Sequence, residues 1–530
     1  MNELRKLPIG IQSFEKLIEG GYLYVDKTEY VWNLVNTGET YFLSRPRRFG
    51  KSLFTSTIAA YFQGKKKLFK GLAIEKHENE KGKNAWQTYP VIYFSLASGE
   101  FLNENGLRET LEMILEKYEK SYGVPSPNLN VSNRFRTDIE NIYQKTGKQV
   151  VVLVDEYDKP LLETMGVNAV QEKKNRELYK SFFSALKDED QYLKFVFITG
   201  VTKFSKVSIF SDLNQLNDIS MDDQFSALCG ITEEELLHTF EPEIKKMAEV
   251  NGQTEEETVK ELQRMYDGYH FSKNGPGIYN PFSILNAFFK NDYGSYWYST
   301  GTPTFLVHSL EYSSYTVEQF TDGVEAKESE ISDYRAHNVD TIPLFYQSGY
   351  LTVVGYNRRF RKYKLSFPND EVRYGFLESL MPEVLGNKDT QHSFILNRMV
   401  EDLDSGKIDE FMRHLESIFA GIPYLAGDRP PYEQEWRNEI YLILALMGEN
   451  IQCEVHTASG RADCIVETDR FIYIFEYKLD QSPDVALIQI DEKGYALPYQ
   501  SDTRNIYRIG VSFSSEKRNI GTWKTVPDQR

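Results

Sequence analysis

The sequence predicts an α/β protein with two separate α/β domains. In roughly the first 200 residues, short apolar runs alternate with stretches of helical spacing, which is typical of a parallel sheet covered by helices on both faces. After the turn-forming residues 421–431, a helix and then several strands indicate a second α/β domain. The length of 530 residues leaves room for roughly three or four domains.

The strands of the first domain are predicted from four apolar runs that are too short for helices and too apolar for loops. These runs are Tyr41–Leu43, Val91–Leu96, Val150–Val154 and Phe195–Ile198. Between them, Gly106–Tyr122 and Lys173–Lys187 have helical spacing. Because strands and helices alternate, we expect the first domain to span residues 1–230.

A change of pattern at Ile231 predicts a helical lid over residues 231–310. Thr232-x-x-Glu235 and Thr254-x-x-Glu257 both have the spacing of a capping box at the start of a helix. Residues 311–420 are predicted to form a connector with a small β element, because a strand-like run at 349–355 is followed by basic residues. The second α/β domain is then expected over 421–530.

Composition limits the classes of function. The net charge of −17 and the pI of about 5.2 exclude nonspecific coating of nucleic acid, so any nucleic-acid contact must be local. The longest apolar run, Ile440–Met447, is far shorter than the ~20 residues of a membrane span, so no membrane contact is expected. Three cysteines without a CxxC pair fit a reducing compartment, and no signal peptide is visible at the N-terminus. We expect a cytoplasmic protein.

The first candidate site follows the first predicted strand, where Gly50-Lys51-Ser52 begins a helix. Backbone N–H groups at such a turn can bind phosphate, a lysine can reach the β and γ phosphates, and a hydroxyl can hold Mg²⁺. We therefore assign Gly50 and Lys51 to nucleotide binding and Ser52 to magnesium. The first glycine of the GxxxxGK[ST] pattern is replaced by Arg45.

Two further strand ends belong to the same predicted site. The strand that follows Gln149 ends in Asp155 and Glu156, which is a Walker B pattern. Asp155 would hold the magnesium shell, and Glu156 would polarise the attacking water. Thr199 ends the next strand, where a polar residue can sense the γ-phosphate. The predicted cofactors are ATP and Mg²⁺, unless these are three unrelated strand ends.

The second candidate site lies on a predicted hairpin of Gly460–Val466 and Phe471–Lys478. Because side chains alternate along a strand, Glu476 and Lys478 lie on one face, and Asp463 can lie opposite them. Two acids can bind Mg²⁺, which stabilises charge on a scissile phosphate and lowers the pKa of bound water. The lysine can orient the nucleophile or stabilise the phosphorane-like charge. This arrangement predicts phosphodiester hydrolysis.

Two flanking helices add candidates to this second site. Glu433 lies on the same helical face as the apolar residues between 436 and 447, which favours it as an accessory acid. Gln489 lies on the apolar face of a later helix, and a polar residue there suggests a role in the site. In the alternative interpretation, Lys478 is only a structural partner of one of the two acids.

Several motifs together carry a resemblance to a known family. The ATPase-like motifs are Leu7–Gly10, Tyr24–Thr28, Arg45–Ser52, Asp155–Pro160 and Tyr266–Tyr269, and the lid motifs are Tyr279–Pro281 and Gly301–Pro303. The connector motifs are Tyr346–Thr352 and Phe367–Asn369, and the nuclease motifs are Gly460–Asp463 and Glu476–Lys478. The chain resembles bacterial AAA-ATPase-like proteins fused to a PD-(D/E)XK nuclease domain. The resemblance implies a P-loop NTPase fold, a helical lid, a connector and a restriction-endonuclease-like α/β domain.

The leading functional hypothesis is an ATP-dependent or ATP-gated nuclease that requires magnesium and acts on nucleic acid. DNA is the expected partner, and the sequence does not distinguish DNA from RNA. Mobile-DNA defence or maintenance is what ATPase–nuclease fusions suggest. Two alternatives stay open, namely a nucleotide-switched binding or sensor protein, and an ATPase whose nuclease fold only binds DNA. The roles of Arg47 and Arg48 also stay open, since either could bind nucleotide phosphates or a nucleic-acid backbone or be solvated. The sequence also leaves open whether the chain forms a homo-oligomer.

Overall fold

The computed structural model describes residues 5–125, 128–204, 210, 213–300, 319–320, 323–331, 341–385, 391–420, 440, 443–444, 447, 450–457 and 460–528. These residues separate into two compact units. The first unit contains the described residues up to 300 and Gly323–Val372. The second contains 319–320 and the described residues from 373 onward. The predicted connector, 311–420, is therefore shared between the two units.

The first unit is built on a parallel sheet with the strand order β2-β3-β4-β1-β5. Its strands are β1 (Thr40–Ser44), β2 (Val91–Ser95), β3 (Val150–Asp155), β4 (Leu193–Gly200) and β5 (Asn217–Asp218). The first four confirm the predicted strands. The fifth was not predicted, because a strand of two polar residues has no hydrophobic pattern.

Helices surround this sheet and bury its apolar side chains. They are Phe14–Glu19, Thr28–Thr37, Lys51–Phe62, Ala73–Glu80, Gly106–Tyr122, Val131–Thr146, Lys159–Leu162, Ala169–Phe183 and Ala185–Asp188. The predicted helix Gly106–Tyr122 has the observed bounds, and the stretch predicted at 173–187 consists of two consecutive helices. The strands β3 and β4 are buried almost along their whole length, as expected for a parallel sheet covered on both faces.

A helical cluster follows the sheet. Its helices are Glu233–Thr239, Glu241–Asn251, Glu255–Tyr266 and Pro281–Lys290, with a short pair of strands, β6 (Ile231–Thr232) and β7 (Ile278–Tyr279). Both predicted capping boxes are present, at Thr232 and at Thr254. The cluster has its own apolar core, to which Leu23 of the N-terminal segment contributes. The lid motif 301–303 lies outside the described residues.

Residues 323–372 complete the first unit with a small antiparallel sheet in the order β8-β10-β9. Its strands are β8 (Val324–Lys327), β9 (Thr352–Asn357) and β10 (Lys362–Ser366), and its helices are Glu328–Ile331 and Thr341–Ser348. The strand-like run predicted at 349–355 therefore corresponds to β9, and the basic stretch after it leads into β10. This is the small β element expected in the connector.

The second unit contains a mixed sheet in the order β11-β12-β13-β14-β15. Its strands are β11 (Asn450–Thr457), β12 (Gly460–Glu467), β13 (Phe471–Leu479), β14 (Asn505–Ser514) and β15 (Asn519–Pro527). Only β13 and β14 run parallel. The helices Gln391–Asp404, Ile408–Ala420 and Pro483–Lys493 belong to this unit, and Asp370–Leu385 leads into it from the first. Across all described helices, none combines the length and the apolar character that a membrane span requires.

Candidate active sites

The turn between β1 and the helix Lys51–Phe62 is the first candidate site. Gly50 has a φ of 93° and Arg48 a φ of 67°, so the chain turns sharply just before the helix. The buried Lys51 ammonium donates hydrogen bonds to the carbonyl oxygens of Arg45 at 2.8 Å and Pro46 at 2.9 Å. Burial lowers the pKa of Lys51, and the neighbouring Asp155 opposes that shift.

Arg45 explains why the first glycine of the phosphate-loop pattern is absent. Its buried guanidinium donates to the carbonyl oxygens of Ser44 at 2.9 Å, Ser220 at 2.7 Å and Phe225 at 3.1 Å. The guanidinium also lies 4.2 Å from the centre of the Phe271 ring. Arg45 is therefore a structural residue that fixes the beginning of the loop.

The acidic end of β3 faces this loop. Asp155 is buried and forms side-chain hydrogen bonds with Ser52 and, at 3.3 Å, with the Tyr93 hydroxyl. Within the described part of the chain, its Oδ1 atom has no hydrogen-bond partner. Burial raises the pKa of Asp155. A carboxylate with an unused oxygen beside a hydroxyl is a donor set that suits Mg²⁺. Glu156 follows with a φ of 54°, where the chain leaves the strand.

Asp158 links this acidic end to the turn after β4, and sequence reasoning did not select it. Its Oδ2 accepts hydrogen bonds from the backbone N–H groups of Val201 at 3.0 Å and Thr202 at 2.6 Å. Burial raises the pKa of Asp158 to about 6. Thr199, at the end of β4, is fully buried, and no described residue hydrogen-bonds its hydroxyl. The only sequence signal for Asp158 was its place in the 155–160 motif.

The structure thus brings the predicted residues of the first site to one edge of the sheet. Parallel strands end there together, since Ser44 of β1 pairs with Gly200 of β4, and Ser95 of β2 pairs with Asp155 of β3. The residues that lie at this edge are Gly50, Lys51, Ser52, Asp155, Glu156 and Thr199. Their roles in binding and catalysis remain predictions.

An apolar cavity of about 100 Å³ adjoins the loop at Phe49 and Gly50. Its wall includes side chains from the N-terminal segment and from the helical cluster, with Leu23 and Phe240 among them. Lys27 adds a cation at this wall, where its ammonium donates to the Ala227 carbonyl and to the Glu235 carboxylate. The lining of this cavity suits a small apolar group. The sequence did not predict it, because the wall combines distant segments.

The second candidate site lies on β12 and β13, which form the predicted hairpin. Cys464 pairs with Phe475, so the next positions, Asp463 and Glu476, lie opposite each other on the two strands. Both carboxylates are buried. The Asp463 carboxylate accepts a hydrogen bond from the backbone N–H of Tyr477 at 2.8 Å. The two acids therefore converge as the strand pattern predicted.

Lys478 and Gln489 both contact Glu476. The Lys478 ammonium lies 2.8 Å from the Glu476 Oε1 atom, and the side-chain amide of Gln489 donates to the same oxygen. Gln489 is carried by the helix Pro483–Lys493, which packs against β13 and β14. A Cβ atom at Gly510 of β14 would lie 2.2 Å from the Pro483 carbonyl oxygen, so glycine permits this close packing.

Glu433, the predicted accessory acid, lies outside the described residues. Of its predicted helix, Ile440, Ile443, Leu444 and Met447 are described, and all four are buried in the core of the second unit. Among the residues whose placement is described, no cluster of three or more His, Cys, Asp or Glu side chains could hold a metal ion. Asp463 and Glu476 offer the hard oxygen ligands that Mg²⁺ prefers, with water completing its shell.

Comparisons with known proteins match both halves of the chain. A family model described as "Predicted AAA-ATPase" matches residues 8–210, and one described as "PD-(D/E)XK nuclease superfamily" matches residues 431–523. The "Uncharacterized protein in vnfD 5'region" of Azotobacter chroococcum mcd 1 is 34% identical over 532 residues, which cover 97% of this chain and 98% of the relative.

A solved structure described as "Crystal structure of DNA replication initiation factor" is also similar in part. The sequence identity is 13%, and the match covers 44% of this chain and 53% of that chain, about half of its length. The TM-score is 0.19, which is too low to establish a common fold.

Proposed function

This chain belongs to the family of AAA-ATPase-like proteins that carry a C-terminal PD-(D/E)XK nuclease domain, and we propose that it hydrolyses ATP and cleaves nucleic-acid phosphodiester bonds. The family supports the two activities in general terms. The arrangement of residues supports their assignment to two sites, one at the phosphate loop and one on the hairpin of β12 and β13.

In the proposed ATPase site, the nucleotide base occupies the apolar cavity beside Gly50, and its phosphates lie at the N-terminus of the helix Lys51–Phe62. Lys51 exchanges its two carbonyl partners for phosphate oxygens. Ser52 and Asp155 would hold Mg²⁺, which would neutralise charge on the phosphates. Glu156 orients the attacking water, and Thr199 contacts the γ-phosphate.

In the proposed nuclease site, Asp463 and Glu476 would hold Mg²⁺, which would supply stabilisation of negative charge on the scissile phosphate. Lys478 orients the nucleophile beside it, and Gln489 fixes the orientation of the Glu476 carboxylate. Glu433 completes the acidic set in this proposal. Burying two acids, one of which contacts a lysine and an amide, costs desolvation free energy. This cost favours a catalytic role over a purely structural one.

The observation that carries the proposal is the convergence of Asp463, Glu476 and Lys478 on paired strands. The test is cleavage of linear, circular and single-stranded DNA, and of RNA, with Mg²⁺ or Mn²⁺ and with or without ATP. Wild type is compared with Glu476→Ala and Lys51→Ala. Glu492→Ala is the matched control, because Glu492 is an exposed acid on the helix that carries Gln489.

We expect Glu476→Ala to abolish cleavage and Glu492→Ala to retain it. Loss of cleavage in Lys51→Ala would mean that the nucleotide controls the nuclease. If the wild-type chain hydrolyses ATP but cuts no nucleic acid under any condition, the nuclease assignment is wrong and a nucleotide-switched binding protein takes its place. DNA as the substrate, a cytoplasmic location and a role in mobile-DNA defence or maintenance belong to the same proposal.

A further inference from the structure

The three arginines of the phosphate loop have three different environments. Arg45 is buried and bonded to backbone carbonyls. Arg48 is exposed, and its guanidinium lies 4.8 Å from the centre of the Phe282 ring. Arg47 is exposed as well, but within the described part of the chain its guanidinium forms no ion pair and no hydrogen bond. Among the three loop arginines, Arg47 is therefore the one whose guanidinium contacts neither a backbone carbonyl nor an aromatic ring in the described residues.

Arg47 lines a cavity of about 100 Å³ between the loop and the turn after β4, and the ring-stacked Arg48 forms another part of its wall. Thr202 lies in its wall, and this residue is fully buried while its hydroxyl has no hydrogen-bond partner among the described residues. The indole N–H of Trp297 donates to the Arg47 carbonyl oxygen at 2.9 Å, which fixes the backbone of the loop there. The cavity thus combines an unused cation with an unused buried hydroxyl.

The position of this cavity relates it to the acidic end of β3. The backbone N–H of Thr202 donates to Asp158, whose carboxylate interacts electrostatically with Lys51 and Glu156. The apolar cavity, in contrast, contacts the loop at Phe49 and Gly50 and shares no wall residue with the Arg47 cavity. The Lys51 ammonium lies on the carbonyls of Arg45 and Pro46, directly before Arg47, so phosphates that replace these carbonyls at Lys51 would lie beside the Arg47 segment of the loop.

We propose that Arg47 binds the terminal phosphate of the nucleotide, with the Thr202 hydroxyl as a second donor. The proposal rests on the ATPase site proposed above and adds the residue that distinguishes a triphosphate from a diphosphate. A guanidinium presents paired N–H donors that match phosphate oxygens, and it stays charged at every physiological pH. Once the terminal phosphate has left, Arg47 has no ligand in the diphosphate complex.

The test is nucleotide binding to the full chain in Mg²⁺, measured with a non-hydrolysable fluorescent ATP analogue and with fluorescent ADP. We expect Arg47→Gln to weaken binding of the triphosphate by about 10- to 100-fold, because a hydrogen bond from a charged donor is lost. Binding of ADP should change by no more than about twofold. Arg108→Gln is the matched control, because Arg108 is an exposed arginine on the helix Gly106–Tyr122 and lines neither cavity. Thr202→Val should also weaken binding of the triphosphate, but by a smaller factor than Arg47→Gln.

Several outcomes would overturn the inference. Equal weakening of both nucleotides by Arg47→Gln, or no weakening, excludes a contact with the terminal phosphate. Arg47→Gln could instead leave nucleotide binding unchanged but make DNA binding weaker and less dependent on salt. That result would assign Arg47 to a nucleic-acid phosphate. If wild type binds no nucleotide, the proposed function fails together with this inference. If wild type binds ATP and Arg47→Gln binds it equally well, only this inference fails. Thermal unfolding of each variant checks that it is folded.

Discussion

The two candidate sites are built in opposite ways. At the phosphate loop, Asp155 and Thr199 lie at strand ends and Lys51 and Ser52 at the start of a helix, and cavities adjoin the loop at Gly50 and at Arg47. On the hairpin, Asp463, Glu476 and Lys478 lie on the strands themselves, where the register of β12 and β13 fixes them. The first arrangement leaves space for a ligand to change hydrogen bonds, whereas the second holds its groups in place before any ligand arrives.

The largest effect is expected when the lysine is removed from each site in turn, which tests whether the two sites carry separate activities. We expect Lys51→Ala to lower ATP hydrolysis by roughly 100- to 1,000-fold, because a donor to phosphate charge is lost. Lys478→Ala should lower nucleic-acid cleavage by a similar factor and leave ATP hydrolysis unchanged. Steady-state ATPase assays and cleavage assays on the same preparations measure both effects. A loss of ATP hydrolysis in Lys478→Ala would contradict the assignment of one lysine to each activity.

Packing in the second unit gives a test of how rigid the hairpin site is. A Cβ atom at Gly510 would lie 2.2 Å from the Pro483 carbonyl oxygen, so Gly510→Ala must displace the helix that carries Gln489. We expect about 2 to 3 kcal/mol of destabilisation. Gly147→Ala is the control, because a Cβ atom there has open space and only its φ of 65° disfavours alanine, by about 1 kcal/mol. Calorimetry of the full chain measures both, and hydrogen exchange localises the loss.

The first unit is expected to respond to pH through Glu371. Its buried carboxylate accepts hydrogen bonds from the Ser283 hydroxyl and the Trp297 backbone N–H, both at 2.6 Å. Burial raises the pKa of Glu371 to about 7, and the hydroxyls of Tyr266 and Tyr269 are near enough to sense its charge. Because the raised pKa makes the folded state bind more protons than the unfolded state, stability should fall as pH rises from about 4.5 to about 7.

In wild type, we expect the free energy of unfolding to fall by about 1 to 2 kcal/mol between pH 5 and pH 7. In the variant Glu371→Gln, this decrease should be absent. Glutamine does not titrate, and its amide can still pair with Ser283 and Trp297. The measurement is the unfolding temperature of wild type and variant across this range. An unchanged pH slope in Glu371→Gln would mean that another group is responsible.

The smallest effect concerns the amide that contacts the nuclease carboxylate. Gln489→Leu removes the donor to Glu476 with little change of volume, so we expect about a tenfold loss of cleavage from a less well oriented acid. Folding and ATP hydrolysis should stay the same. Gln489→Glu should lower cleavage further, because a second carboxylate repels Glu476. A Gln489→Leu variant with full cleavage would show that the strands alone position Glu476.

The sequence predicted what depends on local pattern. The apolar run of β3 indicated a buried strand that ends at Asp155, and the alternation along β13 brought Glu476 and Lys478 to one face. Neither signal needed a contact with a distant residue. In contrast, Lys27 pairs with Glu235, which is 208 residues away, and no local pattern announces such a pair.

The three loop arginines show the same limit at neighbouring positions. The sequence alone could not assign them different roles, because the same side chain occurs three times in one short segment. Their environments come from Phe271, Phe282 and the turn at Thr202, which the fold brings to the loop. Glu371 was missed for this reason too, because its partners Ser283 and Trp297 precede it by 88 and 74 residues.

The bonds of Arg45 have a consequence for synthesis of the chain. Its guanidinium requires the carbonyls of Ser220 and Phe225, which follow it by 175 and 180 residues. While the ribosome is still making that interval, the segment around Lys51 has been synthesised, but of its three carbonyl acceptors the Arg45 guanidinium has only that of Ser44. We therefore expect the phosphate loop to reach its final conformation only after Phe225 has emerged from the exit tunnel. Nascent chains that end before this residue should be unable to bind nucleotide.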